Sequence, residues 1–377
     1  MPEALRGSTR PLPVPAAARG WQPPARPRRR AALVALLGLI PLAACAPQDG
    51  SGLQSPKLSG ITGRGKLVCG VEGTLPGFSF VEPDGRYSGL DVDTCKAVAA
   101  VVLGDPEKVE YRNLNSSERF AALASGEVDM LARNTTATLS RDAAGGNGLS
   151  FAPTTFYDGQ GVMAPVKSGI TSLKGLAGKA ICVESGTTTE LNLADRMREI
   201  NVPYTPLKFQ TSDQTYAAYL GGRCAAVTSD RSQLAGKRSS FPTPDDHQLL
   251  PDVLSKEPLS PATTNADPAW ADALRWIVFS LMQAEEWGIT QANLDSKLAE
   301  AKANTNLADL RRFFGVEGDF GRQLGLPADF TVRAIRAVGN YGEIFERNVG
   351  TTSRLKLERG LNRLWTQGGL IYAQPFR

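Results

Sequence analysis

The sequence predicts an α/β protein made of two similar lobes, and two observations support this fold class. Residues 66–71 form an apolar run typical of a strand, and after a Gly/Pro loop residues 91–103 carry apolar side chains at helical spacing. Residues 120–134 and 216–230 also align without gaps at a constant offset of 96 positions. Each of these two stretches predicts an amphipathic helix, a stopping glycine, a short strand and a polar loop. Alternation of strands and helices is typical of α/β proteins, and the repeat indicates two lobes.

A second repeat, between residues 65–69 and residues 178–182, opens an apolar strand in each predicted lobe. In open α/β sheets ligands bind outside the carboxyl ends of strands, so the polar loops after the repeated strands are expected to line a cleft. Facing lobes would place residues 134–141 opposite residues 187–190 and Asp230. Chance similarity between α/β segments is the alternative explanation of the repeats.

The first 44 residues are predicted to be a secretory signal. Residues 1–30 hold seven arginines and one acidic residue, and residues 31–44 form an uncharged apolar stretch too short to span a bilayer as a stable helix. Residues 42–45 (LAAC) then resemble the bacterial lipobox, in which the cysteine thiol receives a diacylglyceryl group. Cys45 is therefore the expected lipid anchor. Ordinary signal cleavage nearby and a retained anchor helix are the alternatives.

The net charge changes sign once the signal is set aside. The chain has 42 basic and 38 acidic side chains, so removing seven arginines and one glutamate leaves 35 and 37, a formal net charge of −2. This charge gives no electrostatic support for a nucleic-acid partner. The remaining 333 residues are enough for two lobes that each have a core.

The cysteine and histidine content argues against common metal and catalytic sites. Beyond Cys45 there are four cysteines, none of them in a Cys-x-x-Cys pair, and one histidine, His247. A zinc site of the usual type and a histidine-based triad are therefore not expected, and no cofactor is expected. Four cysteines in an oxidising compartment predict two disulfides.

Five short strings spread over both predicted lobes resemble a known family. They are residues 75–78 (LPGF), 89–93 (GLDVD), 133–142 (RNTTATLSRD), 184–190 (ESGTTTE) and 228–230 (TSD). With them, the chain from about residue 65 to its C-terminus resembles family 3 extracellular solute-binding proteins, and most of all the general L-amino-acid binding proteins of ABC importers. Each string is weak by itself, and together they are specific.

The resemblance implies the type II periplasmic-binding-protein fold, in which two α/β lobes flank a ligand cleft and are joined by a two-strand hinge. It implies a monomeric periplasmic protein that binds L-amino acids and delivers them to permease subunits in the cytoplasmic membrane. The alternative is an enzyme on the same fold, such as a cyclohexadienyl or arogenate dehydratase, because fold alone does not determine function. The expected site accounts for the charged cleft positions without an acid/base pair, so an enzyme is not expected.

The expected domain boundaries follow from composition and from this resemblance. They are a signal peptide at 1–44, a flexible Gly/Ser/Pro-rich tether at 45–60, lobe 1 at 61–159 and again at 261–377, and lobe 2 at 160–260. The last part of lobe 1 is expected to end in a helical extension whose aromatic residues belong to the core.

An α-amino acid carries a carboxylate and an ammonium on one carbon, so its receptor needs donors on one side and acceptors on the other. Arg141 offers a planar guanidinium that can bind a carboxylate through two parallel hydrogen bonds. The resemblance gives Arg141 this role, and it gives Thr136 a carboxylate-binding hydroxyl and Asn134 an ammonium-binding backbone carbonyl. A solvated ion pair with Asp142 and a plain threonine-rich turn are the alternatives.

In the second lobe, Thr187 and Glu190 fit a capping box, which predicts a helix that begins near Thr188 with N–H groups free for an anion. The resemblance places the ligand carboxylate there, with Thr188 as a donor. Asp230 is the expected partner of the ligand ammonium, and Glu72 matches an acidic family position and is expected to contact the ligand. A cap that only stabilises its helix and a solvated loop aspartate are the alternatives.

The resemblance also bears on pocket width and on disulfide pairing. Leu75 stands where narrower family members have an aromatic ring over the ligand, so broad specificity is expected. Four cysteines allow three pairings, and a bond between the lobes would resist hinge opening. Cys69 is therefore predicted to pair with Cys95, and Cys182 with Cys224.

Overall fold

The computed structural model describes residues 55–377. The predicted signal peptide, Cys45 and most of the predicted tether lie outside the described residues. Lobe 1 starts with helices and strands that alternate along the chain. They are α1 Pro56–Arg64, β1 Leu67–Val71, β2 Thr74–Leu75, β3 Ser79–Val81, β4 Tyr87–Ser88, α2 Leu90–Leu103, β5 Val109–Asn113, α3 Arg119–Ser125, β6 Met130–Leu131, α4 Leu139–Asp142, β7 Leu149–Phe151 and β8 Phe156–Asp158.

Lobe 2 follows without interruption, and the chain then returns to lobe 1. The elements of lobe 2 are β9 Gln160–Pro165, β10 Ala180–Glu184, α5 Thr188–Glu199, β11 Thr205–Phe209, α6 Ser212–Leu220, β12 Ala226–Asp230, α7 Arg231–Arg238 and β13 His247–Leu249. The returning part consists of β14 Glu257–Leu259, β15 Ala262–Thr264, α8 Pro268–Glu286, α9 Leu294–Ala303, α10 Ala308–Phe313, α11 Phe320–Gln323, α12 Phe330–Val338 and α13 Tyr341–Asn348.

Helix α1 differs from the flexible tether expected at 45–60, because the last five residues of that stretch are helical. Pro56 occupies the first helical position, and the Ser55 side chain caps the helix by accepting a hydrogen bond from the Leu58 N–H. Gly65 ends the helix in the left-handed conformation. Serine and proline, which favour a flexible tether by composition, form the start of a helix in this segment.

The two central sheets have the same strand arrangement. In lobe 1 the order is β5-β1-β6-β15-β7, with β1 parallel to β5 and β6, and β15 antiparallel to β6 and β7. In lobe 2 the order is β11-β10-β12-β9-β13, with β10 parallel to β11 and β12, and β9 antiparallel to β12 and β13. Strands β6 and β12, which come from the 96-residue repeat, occupy equivalent places. The prediction of two similar α/β lobes is confirmed.

Strands β8 and β14 form a two-stranded antiparallel ribbon where the chain passes between the lobes. In its register Phe156 faces Leu259 and Asp158 faces Glu257. Phe156 and Leu259 belong to the core of lobe 1, whereas Asp158 stands just before β9 of lobe 2. This ribbon therefore runs from the core of one lobe to the first strand of the other.

Each predicted disulfide forms within one lobe. Cys69 of β1 is bonded to Cys95 of α2, and Cys182 of β10 is bonded to Cys224, which stands just before β12. The predicted pairing is confirmed. Because neither bond joins the lobes, the covalent structure leaves the ribbon of β8 and β14 free to bend.

The C-terminal helices pack on lobe 1, as the sequence predicts. Helix α12 packs against α2 and α8, and its apolar side chains are buried on one face. Tyr341 and Phe345 of α13 are also buried in the core. The final aromatic residue, Phe376, contacts the rings of Trp276 and Phe313 edge to face. These aromatic side chains therefore belong to the core of lobe 1.

Candidate ligand-binding cleft

Loops at the carboxyl ends of strands in the two sheets meet across a cleft. Arg133 follows β6, and its Nη2 lies 3.6 Å from Oε1 of Glu184 at the end of β10. The side-chain amide of Asn134 donates a hydrogen bond to Gln233 of α7 at 3.3 Å. The structure thus brings together loops that the repeats place in opposite lobes.

Asn134 turns the chain after β6. Its φ of 34° is in the left-handed region, which asparagine tolerates better than most residues. Its N–H donates to Asp91 Oδ2 at 2.9 Å, and burial raises the pKa of Asp91 to about 7 although this bond and Arg133 oppose the shift. The side-chain Oδ1 of Asn134 is buried without a hydrogen-bond partner among residues 55–377. One acceptor at this turn is therefore free for a ligand donor.

Helix α4 carries Arg141, whose side chain is 6% exposed. Its Nη1 donates to the Thr136 carbonyl at 2.8 Å. Burial lowers the pKa of Arg141 to about 10, and the negative charges of Glu257 and Asp230 act in the opposite direction. The guanidinium is therefore cationic at neutral pH. None of the ion pairs in the described part of the chain includes Arg141, so it forms no ion pair with Asp142.

Thr136 and Thr188 meet on one carboxylate, that of Glu257 in β14. The Thr136 hydroxyl donates to Glu257 Oε2 at 2.6 Å, and the Thr188 hydroxyl donates to the same oxygen at 2.9 Å. The two hydroxyl oxygens are 3.4 Å apart. Because Thr136 belongs to lobe 1 and Thr188 to lobe 2, Glu257 links the lobes. The sequence analysis missed Glu257, since one carboxylate in a three-residue strand forms no pattern.

Helix α5 begins at Thr188, as the capping residues predict. Thr187 is the N-cap, and its Oγ1 accepts a hydrogen bond from the Glu190 N–H at 3.1 Å. The Glu190 side chain accepts from the Gly186 N–H at 3.0 Å, so the reciprocal half of the predicted capping box falls one residue earlier. These bonds fix the N-terminus of α5 beside Thr136.

Asp230 ends β12 and is 5% exposed. Burial raises its pKa well above the ordinary value, and the negative charges of Asp158 and Glu257 add to the rise, while Arg119 and Arg141 oppose it. Its Oδ1 has no hydrogen-bond partner within the described chain. A cation bound at this oxygen would both pair with it and stabilise its charged form.

Glu72 is bonded within its own loop after β1. Its two carboxylate oxygens accept from the N–H and the hydroxyl of Thr74 at 2.6 and 2.8 Å. It lines an opening of about 230 Å³ together with Arg133 of lobe 1 and Ser212 of lobe 2. Glu72 therefore lies in an opening between the lobes and has no direct bond to the other five predicted residues.

The sequence analysis also missed the burial of two arginines of lobe 1, Arg119 and Arg133. Arg119 of α3 donates to Thr135 at 3.3 Å, and its Nε has no partner among the described residues. Burial holds the pKa of Arg119 well below its usual range, and the charges of Arg133 and Arg141 add to the shift. Arg119 stands one position before the first repeat unit, and the matching position 96 residues later is Thr215, so the repeat gives no signal for it.

Leu75 fills space between the lobes instead of widening the cleft. It is fully buried, and a Cβ atom added to Gly236 of α7 would lie 3.1 Å from its Cδ1. Leu75 therefore lies against α7 of lobe 2, and the wide pocket that the sequence suggests at this residue stays a prediction.

Among residues 55–377, no group of three or more His, Cys, Asp or Glu side chains is arranged to hold a metal ion. None of the helices that the structure describes is long and apolar enough to cross a membrane.

Sequence comparisons agree with this two-lobed architecture. Residues 67–315 match the bacterial extracellular solute-binding proteins, family 3. The chain is 48% identical over 329 residues to the general L-amino acid-binding periplasmic protein AapJ of Rhizobium johnstonii, covering 87% of this chain and 94% of that protein. It is 46% identical over 343 residues to the glutamate/glutamine/aspartate/asparagine-binding protein BztA of Rhodobacter capsulatus, covering 91% and 99%.

A solved structure shows the same fold over most of the chain. The ABC transporter periplasmic binding protein from Brucella ovis with glutathione bound is 48% identical, with a TM-score of 0.81 over 86% of this chain and 100% of that chain. The fold is therefore that of the type II periplasmic binding proteins, and the family match spans more than half of the sequence. From both lines, this chain belongs to family 3 of the bacterial extracellular solute-binding proteins.

Proposed function

We propose that this protein is the amino-acid-binding component of an ABC importer, and that it holds an α-amino acid between Arg141 of lobe 1 and Asp230 of lobe 2. The observation that carries the proposal is a pair of buried ionisable groups of opposite sign, neither of which has an ion-pair partner in residues 55–377. Each charge shifts the pKa of the other, so the two groups lie within electrostatic reach. An α-amino acid is a ligand that brings both missing charges on one carbon.

The α-carboxylate is proposed to bind at Arg141 and at the N-terminus of α5. Nη1 of Arg141 is bonded to the Thr136 carbonyl, which leaves Nε and Nη2 as further donors for a carboxylate. The first turn of α5 supplies backbone N–H groups and a favourable dipole. In this proposal the hydroxyls of Thr136 and Thr188, whose oxygens are 3.4 Å apart, complete the carboxylate side.

The α-ammonium is proposed to bind at Asp230 and at the Asn134 turn. Asp230 Oδ1 and Asn134 Oδ1 are both buried acceptors without a partner in the described chain. The Asn134 backbone carbonyl is a third acceptor in the proposal. An ammonium group has three donors, so these acceptors can satisfy it fully.

The ligand side chain is proposed to extend toward the opening that Glu72 and Arg133 line. An opening with both an acidic and a basic side chain suits polar side chains of either charge, which supports broad specificity. The names of the relatives agree with this range: AapJ is a general L-amino acid-binding protein, and BztA binds glutamate, glutamine, aspartate and asparagine. The Brucella ovis structure holds glutathione, whose γ-glutamyl residue also carries a free α-carboxylate and α-ammonium.

Isothermal titration of the purified protein with each of the twenty amino acids and with glutathione tests the proposal. We expect saturable one-to-one binding of several L-amino acids. No heat change with any of these ligands, from a protein that folds and carries both disulfides, would contradict the proposed function.

We further propose that the protein is exported, anchored through a lipid on Cys45, and docks as a monomer on permease subunits of the cytoplasmic membrane. Support comes from the lipobox-like residues 42–45 and from the periplasmic designation of AapJ. Fractionation of cells that express wild type or Cys45→Ala tests the anchor. We expect wild type in the membrane fraction and the variant in the soluble fraction; wild type in the soluble fraction would contradict the anchor alone.

A further inference from the structure

Glu257 is a fully enclosed carboxylate at the centre of the cleft. It is 1% exposed and belongs to β14, one of the two strands between the lobes. Thr136 and Thr188 donate to its Oε2 at 2.6 and 2.9 Å. Asn192 of α5 donates to its Oε1 at 2.8 Å, and the Ser255 hydroxyl donates to the same oxygen. Two donors for each oxygen satisfy the carboxylate fully.

The hydroxyls of Thr136 and Thr188 have too few protons to bind both Glu257 and the carboxylate of the ligand proposed above. A threonine hydroxyl carries one proton, so a hydroxyl that donates to Glu257 presents only lone pairs to any other group. A ligand α-carboxylate is also an acceptor and needs the same two protons. Glu257 and a ligand carboxylate therefore exclude each other from Thr136 and Thr188.

The charges lead to the same conclusion. Burial lowers the pKa of Arg141, and Glu257 is the leading negative group that opposes this shift, so the two groups interact favourably. A ligand carboxylate at Arg141 would use the same positive charge while lying close to the negative charge of Glu257. Two carboxylates that share one buried site repel each other.

We propose that Glu257 is an internal competitor for the ligand α-carboxylate and thereby sets the affinity of the cleft. Its carboxylate holds one hydroxyl from each lobe, and an incoming amino acid must take those hydroxyls from it. Glu257 is thus a specificity-determining residue that weakens the binding of carboxylate-bearing ligands. This inference rests on the proposed amino-acid function.

The test is titration of wild type, Glu257→Gln and Glu184→Gln with L-glutamine. Glu184 is the matched control, since it is also buried and also joins the lobes, through the Ser116 N–H at 3.3 Å and Arg133. We expect Glu257→Gln to bind L-glutamine about tenfold more tightly, because the competing charge is gone. Glu184→Gln is expected to bind equally or more weakly. A gain of affinity is the decisive result, because loss of a merely structural residue does not improve binding.

A second ligand and a second variant complete the test. L-glutaminamide lacks the α-carboxylate, so Glu257→Gln should not improve its binding. If Glu257→Gln fails to fold, Glu257→Asp serves instead: its carboxylate is one methylene shorter, and we expect about threefold tighter binding of L-glutamine. Unchanged or weaker binding of L-glutamine, or an equal gain in Glu184→Gln or for L-glutaminamide, would overturn the inference. Failure of wild type to bind any amino acid would instead overturn the proposed function.

Discussion

Arg141 and Asp230 are buried ionisable groups, and a ligand can offset the cost of holding them charged in the folded protein. A buried charged group without an oppositely charged partner loses its hydration, which destabilises the folded state. The cleft contains one such group of each sign, and both are nearly covered. A ligand with two opposite charges pairs with both at once, so ligand binding and stability are linked at these two residues.

Arg141→Ala is expected to weaken amino-acid binding by about two to three orders of magnitude, because the ligand carboxylate would then be buried without its guanidinium at a cost of roughly 3 to 5 kcal/mol. Arg141→Lys should recover part of the loss, since an ammonium cannot form two parallel bonds. The measurement is the thermal shift that each protein shows with glutamine, alanine, histidine and glutamate. Arg198→Ala, at a side chain that is 78% exposed, is the control. Wild-type shifts in a folded Arg141→Ala protein would show that the carboxylate binds elsewhere.

Asp230→Asn is expected to raise the melting temperature at pH 7 without ligand and to weaken amino-acid binding about 100-fold. Burial raises the pKa of Asp230 in the folded state, so the folded protein keeps a proton that the unfolded chain releases above the ordinary value of 3.8. The free energy of unfolding therefore falls as pH rises from that value through the raised pKa, and asparagine avoids this loss. The measurement is the melting temperature between pH 4 and 8. A difference between variant and wild type that does not grow with pH would contradict the assignment.

At the scale of single residues, the sequence indicates candidate residues that belong to a recognisable string. It does not indicate residues that lie outside such strings. Arg141 and Asp230 stand at the ends of polar strings, and the chemistry of an α-amino acid calls for both. Glu257 lies 121 residues from Thr136 and 69 from Thr188, and no local pattern predicts that the three side chains meet.

The elements show which local signals are reliable. The predicted helix at 91–103 is α2, and the predicted start of α5 is confirmed. The sequence analysis does not predict helix α1, because it interprets proline and serine as signs of a flexible tether. In α1 these residues start the helix. Helical periodicity over a dozen residues predicts a helix more reliably than composition does. A nine-residue helix with few apolar positions, such as α1, can be recognised only from its capping residues.

Each disulfide ties one strand to a neighbouring element, and its removal should destabilise its own lobe. Loops of 42 and 26 residues predict losses of about 4 kcal/mol for Cys182→Ser with Cys224→Ser and about 3.5 kcal/mol for Cys69→Ser with Cys95→Ser. Urea unfolding at pH 7 is the measurement, with wild type in reductant as the control that should lose both. No change of the midpoint in either double variant would contradict a stabilising role.

At the scale of the whole molecule, the C-terminal segment reaches the strands between the lobes. The Asn362 side chain accepts from the Tyr157 N–H at 2.6 Å and donates to the Tyr157 carbonyl at 3.1 Å, so it pairs with β8 as a neighbouring strand would. Arg359 anchors this segment through two bonds to Glu285 at 3.0 and 3.1 Å. The sequence analysis assigns this segment to lobe 1 and does not predict the contact, because it joins residues 205 positions apart.

Asn362→Ala is therefore expected to loosen β8 and to change the motion of the lobes more than the folding of either one. Asn362 is buried and holds one edge of β8, while β14 holds the other, so losing the amide leaves the Tyr157 N–H and carbonyl without partners. An unsatisfied buried pair costs roughly 1 to 3 kcal/mol per group, and bending the ribbon would relieve part of that cost. We expect a larger radius of gyration by small-angle scattering without amino acid, the wild-type value at saturating L-glutamine, and about fivefold weaker binding.

Arg363→Ala changes the exposed neighbouring residue and should match wild type in all three measurements. If Asn362→Ala lowers the melting temperature but leaves the radius of gyration and the affinity unchanged, the C-terminal segment stabilises lobe 1 alone. It then does not act on the ribbon of β8 and β14 between the lobes.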